Sequence, residues 1–255
     1  MRALPLTDFR SLIKGKTIFL LIVVFLIGAI SNFPAKAFVR YVLPASIIVN
    51  GTSGSVWYGS ASEVSVNKLF LRDIRWSIKP IMLLSGNLTY KISLYPFNGK
   101  IDGLVSSNFT GSLTYHDIKG SLSEGTLSEL FPYLGIDGEI NLNINSLKLV
   151  NNLPVMMDGN INIINLKING LSDQSIGNYL LKFDPTIDSI IGSIESENAL
   201  IDVAGVIKLE TDGSYEITGV VSPNQFTPEK ITVLLGFLGT PNNLNQRDFR
   251  FEGRL

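Results

Sequence analysis

The feature that most constrains the fold is an alternation of apolar and polar residues that begins near residue 47 and continues along the rest of the chain. The apolar residues recur at every second position in short runs, which glycine, asparagine, proline and serine separate. Successive side chains of a β-strand point to opposite faces of a sheet, so this period predicts many short strands, each with one hydrated face. One run places on its apolar face Leu88, Tyr90, Ile92 and Leu94.

Other runs repeat this pattern and indicate how the strands are joined. The apolar positions of two further runs are Ile74, Trp76 and Ile78, and Ile140, Leu142 and Ile144. Glycine heads several runs, as at Gly86, Gly120, Gly138 and Gly159, and it readily supplies the positive φ of tight turns. We therefore expect an antiparallel meander in one domain over residues 36–255, since no linker divides this region.

Local departures from the alternation predict one bulge and two or three short helices. The phase slips between Ile163 and Ile164, which is typical of a β-bulge. Thr126 and Glu129 have the spacing of a capping box, and residues 172–181 could form about two helical turns. The strongest helical signal lies at residues 227–239, where Thr227 would cap the helix, Pro228 would occupy its first turn, and Gly239 and Pro241 would end it.

The amino-terminal segment has the pattern of a membrane anchor. Four basic residues, offset only by Asp8, precede a run without charge at residues 17–30. Extended to residue 35, the uncharged stretch approaches the roughly 20 residues that a helix needs to cross a bilayer. Positive charge before a span favours a cytoplasmic amino terminus. We expect a cytoplasmic tail at residues 1–16, a signal-anchor transmembrane helix at residues 17–35 and a periplasmic domain at residues 36–255.

Two alternatives remain for this segment. The apolar run is short enough for a signal peptide, and Ala35 and Ala37 flank Lys36 in the small-x-small pattern of a cleavage site. A buried helix of a soluble protein is the other alternative, although the run is apolar on all sides and carries its basic residues at one end only.

Composition argues against several classes of function. The chain has 21 basic and 22 acidic residues, so no broad positive field favours nucleic acid. It has no cysteine, which excludes disulfides, thiolate nucleophiles and cysteine-based metal sites. No Walker A, dinucleotide-binding or G-x-S-x-G motif is present. We predict no cofactor.

The residues that could support catalysis have simpler explanations. The single histidine, His116, has no second imidazole with which to share a transition metal, and we interpret it as a surface or turn residue. Glu195 and Glu197 would lie on one strand face, as an acid/base pair might require, but a hydrated face accounts for them better. The sequence therefore predicts a protein that is not an enzyme.

Trp57 is one of only two tryptophans and lies in a segment rich in glycine and serine. Glycines on both sides, at positions 54 and 59, would permit tight turns around its ring. Packing against the sheet is the interpretation we prefer. Contact with a partner strand or an apolar ligand is the alternative.

Three segments resemble signatures of the type II secretion system protein N family: residues 53–61 (SGSVWYGSA), residues 71–88, with the core W-x-I-x-P-x-x-L-L-x-G, and residues 238–255. They occur in the family's order, and the resemblance covers nearly the whole chain. The motif positions, which are also candidates for interaction, are Gly54, Trp57, Gly59, Trp76, Pro80, Leu84, Gly86, Gly239, Pro241 and Gly253. The resemblance implies a single-span inner-membrane component of the general secretory apparatus of a Gram-negative bacterium, without known catalytic activity.

Two functions are compatible with these patterns. The first is a scaffold that touches other inner-membrane and periplasmic secretion components through strand edges or loops. The second is a lipid-binding or lipid-transfer module, because a glycine-rich meander with one apolar face resembles the curved periplasmic sheets of AsmA-like proteins. A periplasmic enzyme that uses carboxylates is a distant third. An apolar face covered by other elements would favour the scaffold, and an open apolar trough would favour lipid.

Overall fold

The computed structural model describes residues 15–42, 47–66, 69–96, 98–108, 112–130, 135–170, 174–186 and 189–255. Most of the predicted cytoplasmic tail, residues 1–14, lies outside these ranges. The helices are α1 (Gly15–Ser31), α2 (Ala35–Val42), α3 (Thr126–Leu130) and α4 (Glu229–Leu235), with 3₁₀ turns at Pro80–Ser85 and Gly236–Leu238. Within the described ranges, no helix has both the length and the apolar character that crossing a membrane requires.

The strands form a single antiparallel meander, which confirms the mainly β prediction. Their bounds are β1 (Ile47–Asn50), β2 (Ser53–Gly54), β3 (Tyr58–Val66), β4 (Leu69–Ile78), β5 (Leu88–Tyr95), β6 (Lys100–Ser107), β7 (Leu113–Leu122), β8 (Ile136–Val150), β9 (Leu153–Ile168), β10 (Gly177–Asp184), β11 (Ser189–Glu197), β12 (Ile201–Glu210), β13 (Ser214–Pro223) and β14 (Arg247–Arg254). Each strand pairs with the next, except that β1 pairs with β3 and the short β2 pairs only with β3.

The sheet is a single layer over most of its width. The accessible surface is 17101 Å², whereas a compact monomer of 27.9 kDa would expose only about 11,000 Å². All the described strands belong to this one sheet. Most inward side chains are therefore only half-buried.

Three bulges in the sheet share one local conformation. The register shifts beside Asp73 in β4, Asp117 in β7 and Asn165 in β9, and these residues have φ values of 48°, 49° and 53°. Aspartate and asparagine tolerate this left-handed conformation better than other non-glycine residues do. The bulge predicted beside Ile164 is confirmed, one residue further along. Because bulges bend and twist their strands, these three add curvature to the sheet.

Several glycines that we predicted in turns lie inside strands instead. Gly120, Gly138 and Gly159 are within β7, β8 and β9, whereas Gly86 does occupy a turn, with φ of 76°. A Cβ atom at position 120 would lie 2.9 Å from Ile101 Cγ1 on the neighbouring strand. The alternation of apolar and polar residues could not reveal that glycine is required inside these strands, because the requirement comes from the close approach of a neighbouring strand.

The helical predictions succeed at two segments, residues 227–239 and α3 (Thr126–Leu130), and fail at residues 172–181. Residues 227–239 do form α4 and the following 3₁₀ turn, but Pro228 is the N-cap, and the Thr227 hydroxyl bonds to Leu200 and Asn224 rather than capping the helix. The predicted helix at residues 172–181 is wrong, because β10 begins at Gly177, although residues 171–173 lie outside the described ranges. Thr126 does not close a capping box, since its buried hydroxyl has no partner.

The best-packed core lies under α4. It consists of the buried residues Ile176, Tyr179, Ile201, Val221 and Ile231. The α4 residue Ile231 is 1% exposed, so this helix covers the apolar face of β10, β12 and β13. We call this region the α4 core.

Candidate functional site: an apolar cavity beside the first two helices

The turn between β2 and β3 fastens the first two helices to the sheet. The indole Nε1 of Trp57 donates a hydrogen bond of 2.6 Å to the carbonyl of Ile30, at the end of α1. The amide of Val56 donates to the carbonyl of Phe33 over 2.9 Å, and Pro34 forms a bridge with Ser55. Trp57 therefore holds the junction between α1 and α2.

The other tryptophan lies across a glycine of the neighbouring strand. Trp76 pairs with Gly59, and a Cβ atom at position 59 would lie 2.6 Å from Cζ2 of the indole ring. The Trp76 Nε1 donates to the carbonyl of Ser55 over 3.1 Å. Gly54 turns the chain beside them with φ of 84°. The fold thus brings together Gly54, Trp57, Gly59 and Trp76, and both indole rings are half-buried rather than enclosed in a core.

An apolar cavity of about 440 Å³ lies between α2 and strands β1, β3, β4 and β5. Its lining comes from every one of these elements and includes Phe38, Val49, Trp57, Val64, Trp76 and Tyr90. None of the lining residues is charged. Burial raises the pKa of the Tyr90 phenol, which favours its neutral form. We call this space the anchor cavity.

A smaller cavity of about 220 Å³ lies beside the anchor cavity, at the end of α1. Ala29 and Ile30 of α1 line it, and it shares Phe38, Val56 and Trp57 with the anchor cavity. The two cavities therefore adjoin at the indole of Trp57, and none of the residues that line them is charged.

The face that lines the anchor cavity continues across the sheet to β14. Cross-strand pairing connects large apolar residues through intervening glycines: Trp76, Ile92, Ile118, Ile144, Phe183, Ile207, Ile217 and Phe251. Where the register shifts between β6 and β7, a Cβ atom at Gly103 would lie 3.4 Å from Ile118 Cγ1, which continues the row. At the far end the same face forms the α4 core. Between α2 and α4 this face is unevenly covered: α3 packs against β8, and Leu122, Leu127, Ile144 and Phe183 are buried, whereas Ile118 and Ile207 are half-buried. We call this stretch of the apolar face the trough.

The opposite face is polar and contains the residues considered for catalysis. His116 lines a shallow polar depression with Thr89, Ser106 and Thr114. Glu195 and Glu197 are exposed and pair with Leu180 and Asn178. Over the described ranges, no three residues of the kinds that bind metals cluster together.

The remaining positions of the second signature form the turn between β4 and β5. Pro80 begins its 3₁₀ turn, and Gly86 ends it in the left-handed conformation. Leu84 between them is 89% exposed. The backbone amide of Lys79 donates a hydrogen bond of 2.8 Å to the carbonyl of Thr89, which connects this turn to β5.

The third signature lies far from the first two. Gly239 ends the 3₁₀ turn after α4 with φ of 116°, and its carbonyl accepts a bond of 3.2 Å from Arg247 Nε. Pro241 is exposed, and Gly253 in β14 leaves room for the ring of Tyr215. The sheet thus separates the signatures into one group beside α1 and another beside α4.

The sequence patterns did not reveal α2 or the anchor cavity. The signal was a spacing of three to four residues at Ala35, Phe38 and Val39, which gives α2 one apolar side. The side chains of Lys36 and Arg40 are exposed on its other side. A helix of eight residues gives too few periods to stand out beside the apolar run before it.

Comparisons with known proteins agree with this arrangement of signatures. Residues 45–250 match the family model described as type II secretion system (T2SS), protein N. The chain is 20% identical to type II secretion system protein N of Aeromonas hydrophila over 92% of this chain and 96% of that protein. It is 22% identical to the protein of the same name from Pectobacterium carotovorum subsp. carotovorum, over 88% and 91% of the two chains. No solved structure matches. This chain belongs to the type II secretion system protein N family.

Proposed function

We propose that the protein is a single-pass inner-membrane component of the type II secretion system and that it acts without catalysis or cofactors. In this proposal residues 17–35 are the anchor and residues 36–255 lie in the periplasm. Exposed apolar side chains on α1, such as Phe25 at 73% and Leu21 at 62%, support an anchor, as do the basic residues that precede it.

The anchor is tested by extracting membranes from cells that produce the full chain. Alkaline carbonate should leave the protein in the pellet, and the mass of the purified chain should include residues 1–37. Release into the supernatant would contradict the anchor, and a mass that lacks these residues would support cleavage after Ala37 instead.

We further propose that the apolar face binds hydrocarbon, such as lipid acyl chains. The observation that carries this proposal is the anchor cavity, whose lining has no charged residue, together with the row of apolar side chains that continues from it along the trough. Transfer of a methylene group from water to such a site contributes about 0.8 kcal/mol, so an acyl chain could bind without polar contacts. The volume of the anchor cavity, about 440 Å³, lies in the range of known ligand pockets.

Photo-crosslinking in intact cells tests the trough. A photoreactive residue at Leu142 would face the trough, and one at the adjacent Asn143, which is exposed on the other face, is its matched control. We expect lipid adducts at Leu142 and few at Asn143. Protein adducts alone at Leu142 would contradict lipid binding and favour the scaffold.

The open edge of β14 favours a scaffold as the second candidate. Among the described strands, β14 pairs only with β13, and it carries much of the third signature. An unpaired edge can add a strand from another protein through main-chain hydrogen bonds, and a shared membrane raises the effective concentration of such a partner. Photoreactive residues at positions 247–254 should then yield adducts with other secretion components.

A further inference from the structure

The turn between β4 and β5 presents four consecutive apolar side chains to the surface. Their exposed fractions are 70% for Ile81, 43% for Met82, 47% for Leu83 and 89% for Leu84. Such runs are rare on soluble surfaces unless they bind something, because each side chain orders water around it. We call residues 80–85 the apolar turn.

Several polar groups of the apolar turn form hydrogen bonds within the turn or to the residues that flank it. Pro80 has no backbone N–H group that would need a hydrogen-bond acceptor, and Gly86 ends the turn in a left-handed conformation. The bonds within the turn are Met82 N–H to Lys79 O (3.0 Å), Gly86 N–H to Leu83 O (3.1 Å), Asn87 N–H to Met82 O (3.2 Å) and Ser85 Oγ to Met82 O (2.8 Å). Internal hydrogen bonding of this kind lowers the cost of placing a segment in a medium poor in water.

The apolar turn lies beside the end of α1. Ile78, the last residue of β4, donates its amide to the carbonyl of Trp57 over 2.7 Å. The same tryptophan bonds to the carbonyl of Ile30 through its side chain. The start of the apolar turn and the end of the anchor helix are therefore held by one residue.

Charged residues of both signs lie near the apolar turn or the end of α1. Lys79 directly precedes the turn, and Lys36 and Arg40 are exposed on α2, the helix that follows α1. Asp117 lines the same polar depression as Met82. Neither α2 nor residues 79–87 contain an acidic residue. Basic side chains beside an apolar insertion are typical of contacts with anionic lipid headgroups.

We propose that the apolar turn inserts into the periplasmic leaflet of the bilayer that holds α1, as a second attachment of the sheet to the membrane. The occupant of this surface is the phospholipid bilayer itself. The inference depends on the proposed anchor, because α1 is what brings the turn to the membrane. A single helix would let the sheet swivel, whereas two attachments fix its tilt and keep the smaller cavity, beside Ile30, at the membrane surface.

The absence of cysteine makes a direct test possible, because each single-cysteine variant carries a unique label. The full chain is reconstituted in vesicles of phosphatidylethanolamine and phosphatidylglycerol, with an environment-sensitive dye at L84C. Spin-labelled lipids serve as quenchers. The matched control is F237C, since Phe237 is 86% exposed near α4, and F25C reports on α1. We expect a blue-shifted emission and several-fold quenching at positions 84 and 25, with little quenching at position 237.

The outcomes separate this inference from the anchor on which it rests. Quenching at position 25 without quenching at position 84 would overturn the second attachment and leave the anchor intact. No quenching at position 25 would overturn the anchor as well. Equal quenching at positions 84 and 237 would indicate non-specific adsorption and would overturn the inference. Replacing phosphatidylglycerol with a zwitterionic lipid should weaken quenching at position 84, and an unchanged signal would overturn the role of the basic residues.

Discussion

The two ends of the sheet use the same apolar face in different ways. Under α4 the face is sealed, and Ile231 enters a cluster that leaves it 1% exposed. Under α2 the face remains separated from the helix by the anchor cavity of about 440 Å³. Protein interiors are normally packed without such voids. We therefore infer that the α4 end contributes more to stability, and that the α2 end is less tightly packed where we propose a ligand binds.

The largest expected effect tests whether the α4 end is the stabilising one. Ile231→Ala should lower the free energy of unfolding by about 2–5 kcal/mol, because it leaves a cavity in the α4 core. Val233→Ala on the same helix is the control and should change it by less than about 0.5 kcal/mol, since Val233 is 62% exposed. Denaturant titration of the full chain in detergent, followed by circular dichroism, measures both. Equal effects of the two substitutions would break the comparison.

The next prediction tests how tightly the Trp76 ring packs against Gly59 at the α2 end of the sheet. Gly59→Ala should destabilise the protein by about 1–3 kcal/mol through overpacking, because the new Cβ would lie 2.5 Å from the Ser53 carbonyl oxygen and 2.6 Å from the Trp76 ring. Gly236→Ala is the matched control, since no atom lies within 4 Å of the position that its new methyl group would occupy and its backbone is helical. That substitution should be neutral or stabilising by about 0.4–1 kcal/mol. A neutral Gly59→Ala in the same titration would show that the Trp76 ring can move.

A third variant fills the anchor cavity to test whether lipid occupies it. Val64 lines the cavity, so Val64→Trp should reduce co-purified lipid about tenfold, equivalent to about 1.4 kcal/mol, without unfolding the protein. Ser65→Trp is the control on the opposite face, between the exposed Ile48 and Phe70. Mass spectrometry of extracted lipids measures the result. Unchanged lipid in Val64→Trp would argue against hydrocarbon in the cavity.

The smallest effect is a pH dependence at the α4 end. Burial, with a contribution from the charge of Asp202, raises the pKa of Tyr179 from 10.0 to about 12. As the pH rises, the Tyr179 phenol loses its proton at a lower pH in the unfolded chain than in the folded protein. The contribution of the neutral phenol to the free energy of unfolding is therefore complete below about pH 10 and is lost as the pH rises towards 12. Unfolding titrations across this range should show the decline, and Tyr179→Phe should reduce it. The same slope in Tyr179→Phe would assign the decline to other groups.

The strands were predictable because their signal is local. Alternation marked β4, β5 and β8, and the phase slip near Ile164 marked a bulge, since each depends only on residues close in sequence. The helix predicted at residues 172–181 failed because β9 and β11 pair with β10 and override a weak local preference. The sequence analysis singled out both tryptophans and preferred packing against the sheet for Trp57, but it did not predict their half-buried position at the cavity.

The sequence alone determined the mainly β meander, the alternation of faces and the family, because periodicity and motifs are written in consecutive residues. Only the tertiary structure decided that Gly54, Trp57, Gly59 and Trp76 meet beside α1, and that Gly239, Pro241 and Gly253 lie with α4. It also decided which residues of the apolar face are buried and which are only half-buried. The physical reason is that burial depends on how closely segments distant in sequence approach each other. The residues of α2 and α4 do not by themselves specify how far each helix lies from the sheet.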